Sequence, residues 1–295
     1  MIEPWSAEAI LTDLGTACIG GELHLFERVD STNDLAVQHG LRGGREGAVF
    51  VAEAQERGRG RRGRAWYSPP GCGIYCSVLL APGGEPERLG LLSLMTGVAL
   101  AEALASCGDF PVRLKWPNDL ILGGRKLGGI LCELQQVSEG GWFVVVGFGI
   151  NVTLPECGGA ANLSPEVRRR ATALCAEGRR EVSRVAVLRA CLRRLDAWYR
   201  RYRGGDLAGI VPAWKRRAIL LGEEVEVYSG AQVLRGIARE IDAGGALLLE
   251  MADGALQRIV AGDVETSPAR EAAAAACRPT PRPGGGGLSA DQAGR

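Results

Sequence analysis

"VRLKWPNDLILGGRKLGGILCEL", residues 112–134, is the stretch on which the fold turns. Residues 112–122 read as a strand, but Pro117 cannot donate to a sheet ladder, so the strand must break or bulge there. The GGRK at 123–126 turns the chain back, and LGGILCEL at 127–134 reads as the next strand. A further strand, GWFVVVGFGINV (141–152), follows across the loop QQVSEGG, a hairpin connection. Upstream, ELHLFERV (22–29), GAVFVAEA (47–54) and GIYCSVLL (73–80) have strand patterns. One helix starts at Ser31 or Thr32 and ends near Gly40, and a second covers 87–106. Helical patterns fill about 164–177 and 183–203, with the arginines of the second on one solvated face. The fold class expected is α/β (α+β): a mixed, largely antiparallel sheet flanked by helices over residues 20 to about 218. A parallel doubly wound sheet is the alternative this pattern opposes.

The character of the chain changes after WKRRAILLG. Residues 222–266 are short alternating runs broken by glycine, the pattern of a small all-β, barrel-like module. The tail 268–295 has almost no large apolar residue and cannot offset its own ordering entropy. The expected division is 1–218, 219–267 and a disordered tail at 268–295.

Bulk properties narrow the function. The 295 residues carry 35 basic and 34 acidic side chains, a net charge of +1. A chain that neutralises many phosphates usually carries a basic excess, so a polynucleotide partner is disfavoured. Nine cysteines include no CxxC pair, and His24 and His39 give no zinc spacing. Cys72 and Cys76 read as ordinary thiols at a strand start. A reducing cytoplasm is expected, with no signal peptide in MIEPWSAEAILTDL. The uncharged run 89–101 is too short to span a bilayer and reads as a buried helix.

Four segments carry polar chemistry. Ser31, Thr32 and Asn33 stand at a strand-to-helix junction, where helix capping is the plain alternative. QERGRGRRGRAW (55–66) interleaves five arginines with three glycines. Glycine lets backbone fold closely round a ligand, and guanidinium forks bind phosphate or carboxylate in pairs. No GxxxxGK[ST] is present, so this is not a Walker loop. In the third segment, Lys115 and Lys126 flank the broken strand, with Asn118 and Asp119 at the break. GFGIN (147–151) ends a strand with glycines that permit close approach and an Asn151 able to bond a base or ribose.

In this order and at these separations the segments resemble the biotin–protein ligases, also called biotin–[acetyl-CoA-carboxylase] ligases. STN, GRGRRGRAW, KWPND, KLGGILCE and GFGIN all match the family's patterns, over about residues 24–267. The resemblance implies a class II aminoacyl-tRNA synthetase-like catalytic fold, an SH3-like C-terminal barrel and a two-step reaction. Biotin and ATP give biotinyl-5′-AMP; a lysine of a biotin carboxyl carrier protein then takes the biotinyl group. Magnesium is expected with the triphosphate rather than at a metal site of the chain's own. Ser31, Thr32, Asn33 and Gln55 are implied at biotin's ureido ring, and Gly58, Arg59, Gly60 and Arg61 as a clamp. Arg64 would meet the triphosphate, Trp66 would wall the biotin and adenine sites, and Tyr75 and Gly129 would line the biotin pocket. Lys126 would bond the biotin carboxylate and the α-phosphate. Lys115 and Asn118 would lie near phosphate, and Asn151 near adenine or ribose. The catalytic set is then Lys126, Arg61 and Asp119, with Asp119 receiving the incoming lysine.

Bifunctional relatives carry an N-terminal DNA-binding domain; about 25 residues precede the matching region here, which implies a monofunctional ligase. A lipoate or octanoate ligase or transferase of the same fold is the nearer alternative, and a nucleic-acid-binding regulator using the arginine run the more distant one. No nucleic acid and no membrane are expected as partners, and a homodimer is left open.

Overall fold

The computed structural model describes residues 5–84, 88–137, 141–153, 165–177 and 182–266. Helix α1 (Ala7–Leu11) leads to strand β1 (Leu23–Val29), helix α2 (Thr32–Leu41), strands β2 (Val49–Gln55) and β3 (Gly73–Leu80), and helix α3 (Leu89–Gly108). Strands β4 (Arg113–Lys115), β5 (Asp119–Leu122), β6 (Arg125–Gln136) and β7 (Trp142–Asn151) follow. Together they form a seven-stranded sheet in the order β1-β2-β3-β7-β6-β5-β4. Only β1 and β2, joined through α2, run parallel; every other neighbouring pair is antiparallel. A parallel neighbour needs a crossover connection, and α2 supplies it. The sheet is thus mixed and largely antiparallel, as the 112–134 stretch requires.

That stretch folds as its proline dictates. β4 ends at Lys115, the Trp116–Pro117 peptide is cis, and β5 resumes at Asp119. The return turn rests on Gly123 and Gly124, whose φ values of 57° and 74° suit glycine.

After β7 come α4 (Pro165–Arg170), α5 (Leu174–Glu177), α6 (Arg184–Arg203) and α7 (Ile210–Lys215). The single helical pattern expected over about 164–177 is two short helices. The chain between them joins the start of β6, beyond the end of β7: Ala171 bridges Lys126, and the Thr172 N–H donates to the Lys126 carbonyl at 2.9 Å. Residues 87 and 164, Cys157, Cys277 and the tail 268–295 lie outside the described residues.

Both faces of the sheet are covered, so β3 is buried along its whole length. On one face α2 packs over Phe50, Leu79, Phe143 and Val145. On the other, Val49, Val51, Val78, Val144 and Val146 meet α3 and α6. α6 is amphipathic, burying Val185, Leu188, Leu192, Leu195, Tyr199 and Tyr202 at helical spacing. Its arginines are not simply solvated: Arg189 donates to the Ala9 carbonyl and Arg193 to that of Leu14, tying down the N-terminal segment. α3 is 20 residues long, so by length and composition it could cross a membrane, contrary to the length argument from 89–101. Its placement is that of a core helix, with 67% buried inside the fold.

The C-terminal strands β8 (Glu224–Ser229), β9 (Gln232–Ile241), β10 (Leu247–Glu250), β11 (Leu256–Ile259) and β12 (Asp263–Thr266) form an antiparallel sheet ordered β11-β10-β9-β8-β12. Its apolar side chains, Val225, Val227, Leu247 and Leu249 among them, join the same core cluster as α3 and α6.

Candidate active site

Ser31 stands in extended conformation as the N-cap of α2, without a capping hydrogen bond from its side chain. Ser31, Thr32 and Asn33 are all buried. Thr32 is held through both N–H and hydroxyl by Gln55 Oε1, at 2.9 and 3.2 Å. Gln55 donates onward to Ser68 Oγ at 2.9 Å, and Ser68 to the Trp66 carbonyl at 3.1 Å. From β3, Ser77 Oγ lies 2.7 Å from Thr32 Oγ1 and 2.5 Å from Asn33 Oδ1. A hydroxyl has one proton, so it can serve only one of these acceptors at a time. With the Thr32 N–H already on Gln55, the Thr32 hydroxyl can donate to Ser77 while Ser77 donates to Asn33 Oδ1. Tyr75 lies on the same face of β3 as Ser77, two residues away. Its hydroxyl donates to the Pro69 carbonyl at 2.9 Å, and burial pushes its pKa up.

The arginine-glycine segment is an ordered flap. Gln55 bridges Ser68 and Arg59 bridges Ala65 in antiparallel fashion, and a single 3-10 turn at Arg61–Gly63 makes the tip. Arg62 and Gly63 adopt left-handed conformations there, φ 55° and 69°. Gly58 is required at the base, where a Cβ would fall 2.6 Å from the Trp66 carbonyl. Every arginine faces a carboxylate. Arg57 pairs with Asp30, while Arg59 pairs with Asp34 at 2.5 Å and Glu133 at 3.2 Å. Hydrogen bonding to Asp34 leads the causes that push the Arg59 pKa up. Arg61, Arg62 and Arg64 all converge on Asp263, at 3.5, 3.6 and 2.7 Å. Asp263 Oδ2 is close to Arg64 yet out of hydrogen-bonding alignment with it. Arg61 also donates to the Gly262 carbonyl at 3.0 Å and to Asn118 Oδ1 at 3.3 Å. The flap tip is thus latched to the C-terminal sheet.

Beside the flap, Lys126 Nζ pairs with Asp119 Oδ1 at 2.6 Å and stands 5.7 Å from the centre of the Trp66 ring. Gly129 lies against this pair: a Cβ there would sit in ordinary van der Waals contact with Lys126 Cε at 3.6 Å and Trp66 at 3.7 Å. Burial pushes the Lys115 ammonium below the usual lysine range, with Asp119 opposing the shift. Asn118 is fixed by donating to the Ile130 carbonyl at 2.7 Å. Asn151 donates to the Thr172 carbonyl at 3.0 Å, next to the backbone that Thr172 shares with Lys126. The GFGIN glycines have definite partners. A Cβ on Gly147 would fall 2.0 Å from Asn33 Oδ1, and one on Gly149 2.4 Å from Trp66 Nε1. That indole nitrogen is buried without a hydrogen-bond partner.

Comparison with known proteins identifies the family. Residues 25–151 match the biotin/lipoate A/B protein ligase family, and residues 220–266 match the biotin protein ligase C-terminal domain. The biotin–[acetyl-CoA-carboxylase] ligase of Mycobacterium tuberculosis is 34% identical over 82% of this chain and 88% of its own length. The chain belongs to the biotin protein ligase family. The Escherichia coli bifunctional ligase/repressor BirA is 32% identical over 83% of this ligase and 74% of BirA. A solved biotin protein ligase from Aquifex aeolicus, in complex with biotin and ATP, superposes with TM-score 0.72 at 28% identity, covering 84% of this chain and all of that one.

Four polar residues of this candidate site escape sequence reading. Ser77 had a faint signal, a hydroxyl inside the apolar run GIYCSVLL. Glu133 sits in a quoted motif, but its double role, gripping Arg59 and accepting from Asn33 Nδ2 at 2.6 Å, appears only in three dimensions. Ser68 and Asp263 had no signal, since each acts on partners fixed by the fold.

Proposed function

We propose that this biotin ligase joins biotin to ATP, releasing pyrophosphate, and passes the biotinyl group from biotinyl-5′-AMP to a lysine of a biotin carboxyl carrier protein. The observation that carries the reading is the convergence of Lys126, Asp119 and Trp66 beside Gly129, at the base of the arginine flap. Adenylation brings a carboxylate against an α-phosphate, two anions that resist approach. Lys126 supplies positive charge where they meet, through a charge-assisted contact worth about 1.5–3 kcal/mol. Asp119 holds Lys126 in readiness; once Lys126 turns to the adenylate, Asp119 is free to receive the acceptor lysine. A mixed anhydride is destroyed by water, so the flap and Trp66 exclude solvent around it.

Ser31, Thr32, Asn33 and Gln55 would hold the ureido ring, whose N–H and carbonyl groups suit the hydroxyl and amide groups gathered there. Tyr75 and Gly129 would line the same pocket. Arg61, Arg64, Lys115 and Asn118 would meet the phosphates, and Asn151 the adenine or ribose side. Asn118 and Asp119 are the neighbouring side-chain oxygen donors, few enough to suit a magnesium ion that keeps several waters and arrives on the triphosphate.

The net charge of +1 favours this over a polynucleotide surface, because a chain that tracks many phosphates usually carries a basic excess. We take residues 1–218 as the synthetase-like catalytic unit, 219–267 as an SH3-like module, and the cytoplasm as the compartment. The test is ATP-dependent transfer of labelled biotin to a purified carrier domain, with lipoate and octanoate in parallel. Biotin transfer supports the reading; transfer of lipoate or octanoate in its place overturns it.

A further inference from the structure

We propose that Glu22, His24 and His39 form a binding site for a divalent transition-metal ion of the zinc type, apart from the biotin and ATP sites. Sequence spacing argued against one, because fifteen positions separate the two histidines. The fold removes that objection. Glu22, the residue before β1, and His24 within it are two positions apart, so they point to the same side. α2 packs over that face and delivers His39 from its last turn.

One carboxylate oxygen and two imidazole nitrogens then lie within 4.8 Å of one another. Glu22 Oε1 is 2.6 Å from His24 Nε2, and Glu22 Oε2 is 3.5 Å from His39 Nε2. Ligand atoms of a tetrahedral ion, each about 2 Å from it, stand about 3.3 Å apart, a spacing these distances bracket. His39 Nε2 is buried and makes no hydrogen bond, and Glu22 at 3.5 Å is the group it faces in the cluster. Both rings are held from behind by Phe50, which stacks on His24 at 4.8 Å and meets His39 edge-on at 5.3 Å.

Two imidazoles with one carboxylate select a borderline cation such as Zn2+, Co2+ or Ni2+ over Mg2+ or Ca2+, which prefer oxygen. Three protein ligands leave a fourth position for water, and the side chains are 25–37% exposed, enough to admit it. The ion would clamp β1 to the far end of the helix whose first turn carries Thr32 and Asn33.

The test is calorimetric titration of ZnCl2 into the metal-free full-length chain, with Co2+ absorption as a check on ligand type. One saturable Zn2+ per chain is expected, together with Co2+ d–d bands and no thiolate charge-transfer band. His24→Gln and Glu22→Gln should each weaken Zn2+ binding by more than the roughly 10–100-fold that loss of an outer partner costs. Zn2+ should raise the melting temperature of the parent and not of these variants. His24 and Glu22 lie at the surface, so melting in EDTA should match the parent and show both variants folded. Absence of saturable binding, a thiolate band from the cysteines, or unchanged affinity in folded His24→Gln would each overturn the proposal.

Discussion

In the proposed reaction Lys126 is the residue on which the chemistry rests most directly, and its contact with Asp119 makes a specific expectation. Lys126→Ala removes positive charge needed as the anions meet, so biotin-dependent ATP–pyrophosphate exchange should fall at least about tenfold more than biotin affinity does. Equal losses would mean that Lys126 only binds. Lys115 adds a pH signature. Burial holds its folded pKa below that of lysine in water, so the charge is present below the folded value and lost above it. Adenylation should therefore decline on the alkaline side earlier than an ordinary lysine would dictate, and Lys115→Arg should move that limb upward. Stability has the opposite sense. Between the folded and unfolded pKa values the unfolded chain binds more protons, so stability rises with pH through that window. Lys115, Asn118, Asp119 and Lys126 were legible because a lysine, an amide and a carboxylate at a proline break have little to do with packing. Ser77 and Glu133 were not, because what they hold lies 44 to 100 positions away in the chain.

At the scale of elements, the flap and β7 form one device. Gly149 exists to receive the Trp66 indole, so Gly149→Ala should displace the ring. Overpacking of this kind costs about 1–3 kcal/mol, visible as a lower melting temperature with altered tryptophan fluorescence and weaker biotin binding. Unchanged fluorescence would show that the ring does not pack there. The flap itself should act in retention. Arg61→Gly removes the bonds to Asn118, Gly262 and Asp263 and loosens the open loop. Losing about 1.4 kcal/mol of grip speeds escape of the adenylate roughly tenfold, so bystander amines such as serum albumin should be labelled. A variant that makes adenylate at the parent rate and labels no bystander would refute the lid. Sequence reading recovered the sheet because alternation and the 123–126 turn are local signals. It failed over 164–177 because the break there comes from a long-range bridge to Lys126, which no helical periodicity records.

At the scale of the molecule, the two sheets are not independent beads. The buried Trp116 donates its indole N–H to the Gly245 carbonyl at 3.0 Å, and the apolar residues of both sheets share one core. A chain ending at Leu221 would leave that donor unpaired, at about 1–3 kcal/mol, besides exposing apolar surface. It should melt at a lower temperature than the full chain and lose most transfer activity; full activity would make the second sheet dispensable. The five carboxyl-terminal strands were legible from their glycine-punctuated runs, but nothing in the sequence announced that Asp263 would reach back to the flap. That reach has a consequence for turnover. One carboxylate set against three guanidinium groups leaves two positive charges that it does not neutralise. A triphosphate carries more negative charge than Asp263 and, on the role proposed for Arg61 and Arg64, would compete for the same cations. Nucleotide and protein are then rival counterions for one set of arginines: arrival of ATP would loosen the second sheet as the flap turns to the phosphates, and departure of pyrophosphate would let Asp263 reclaim them.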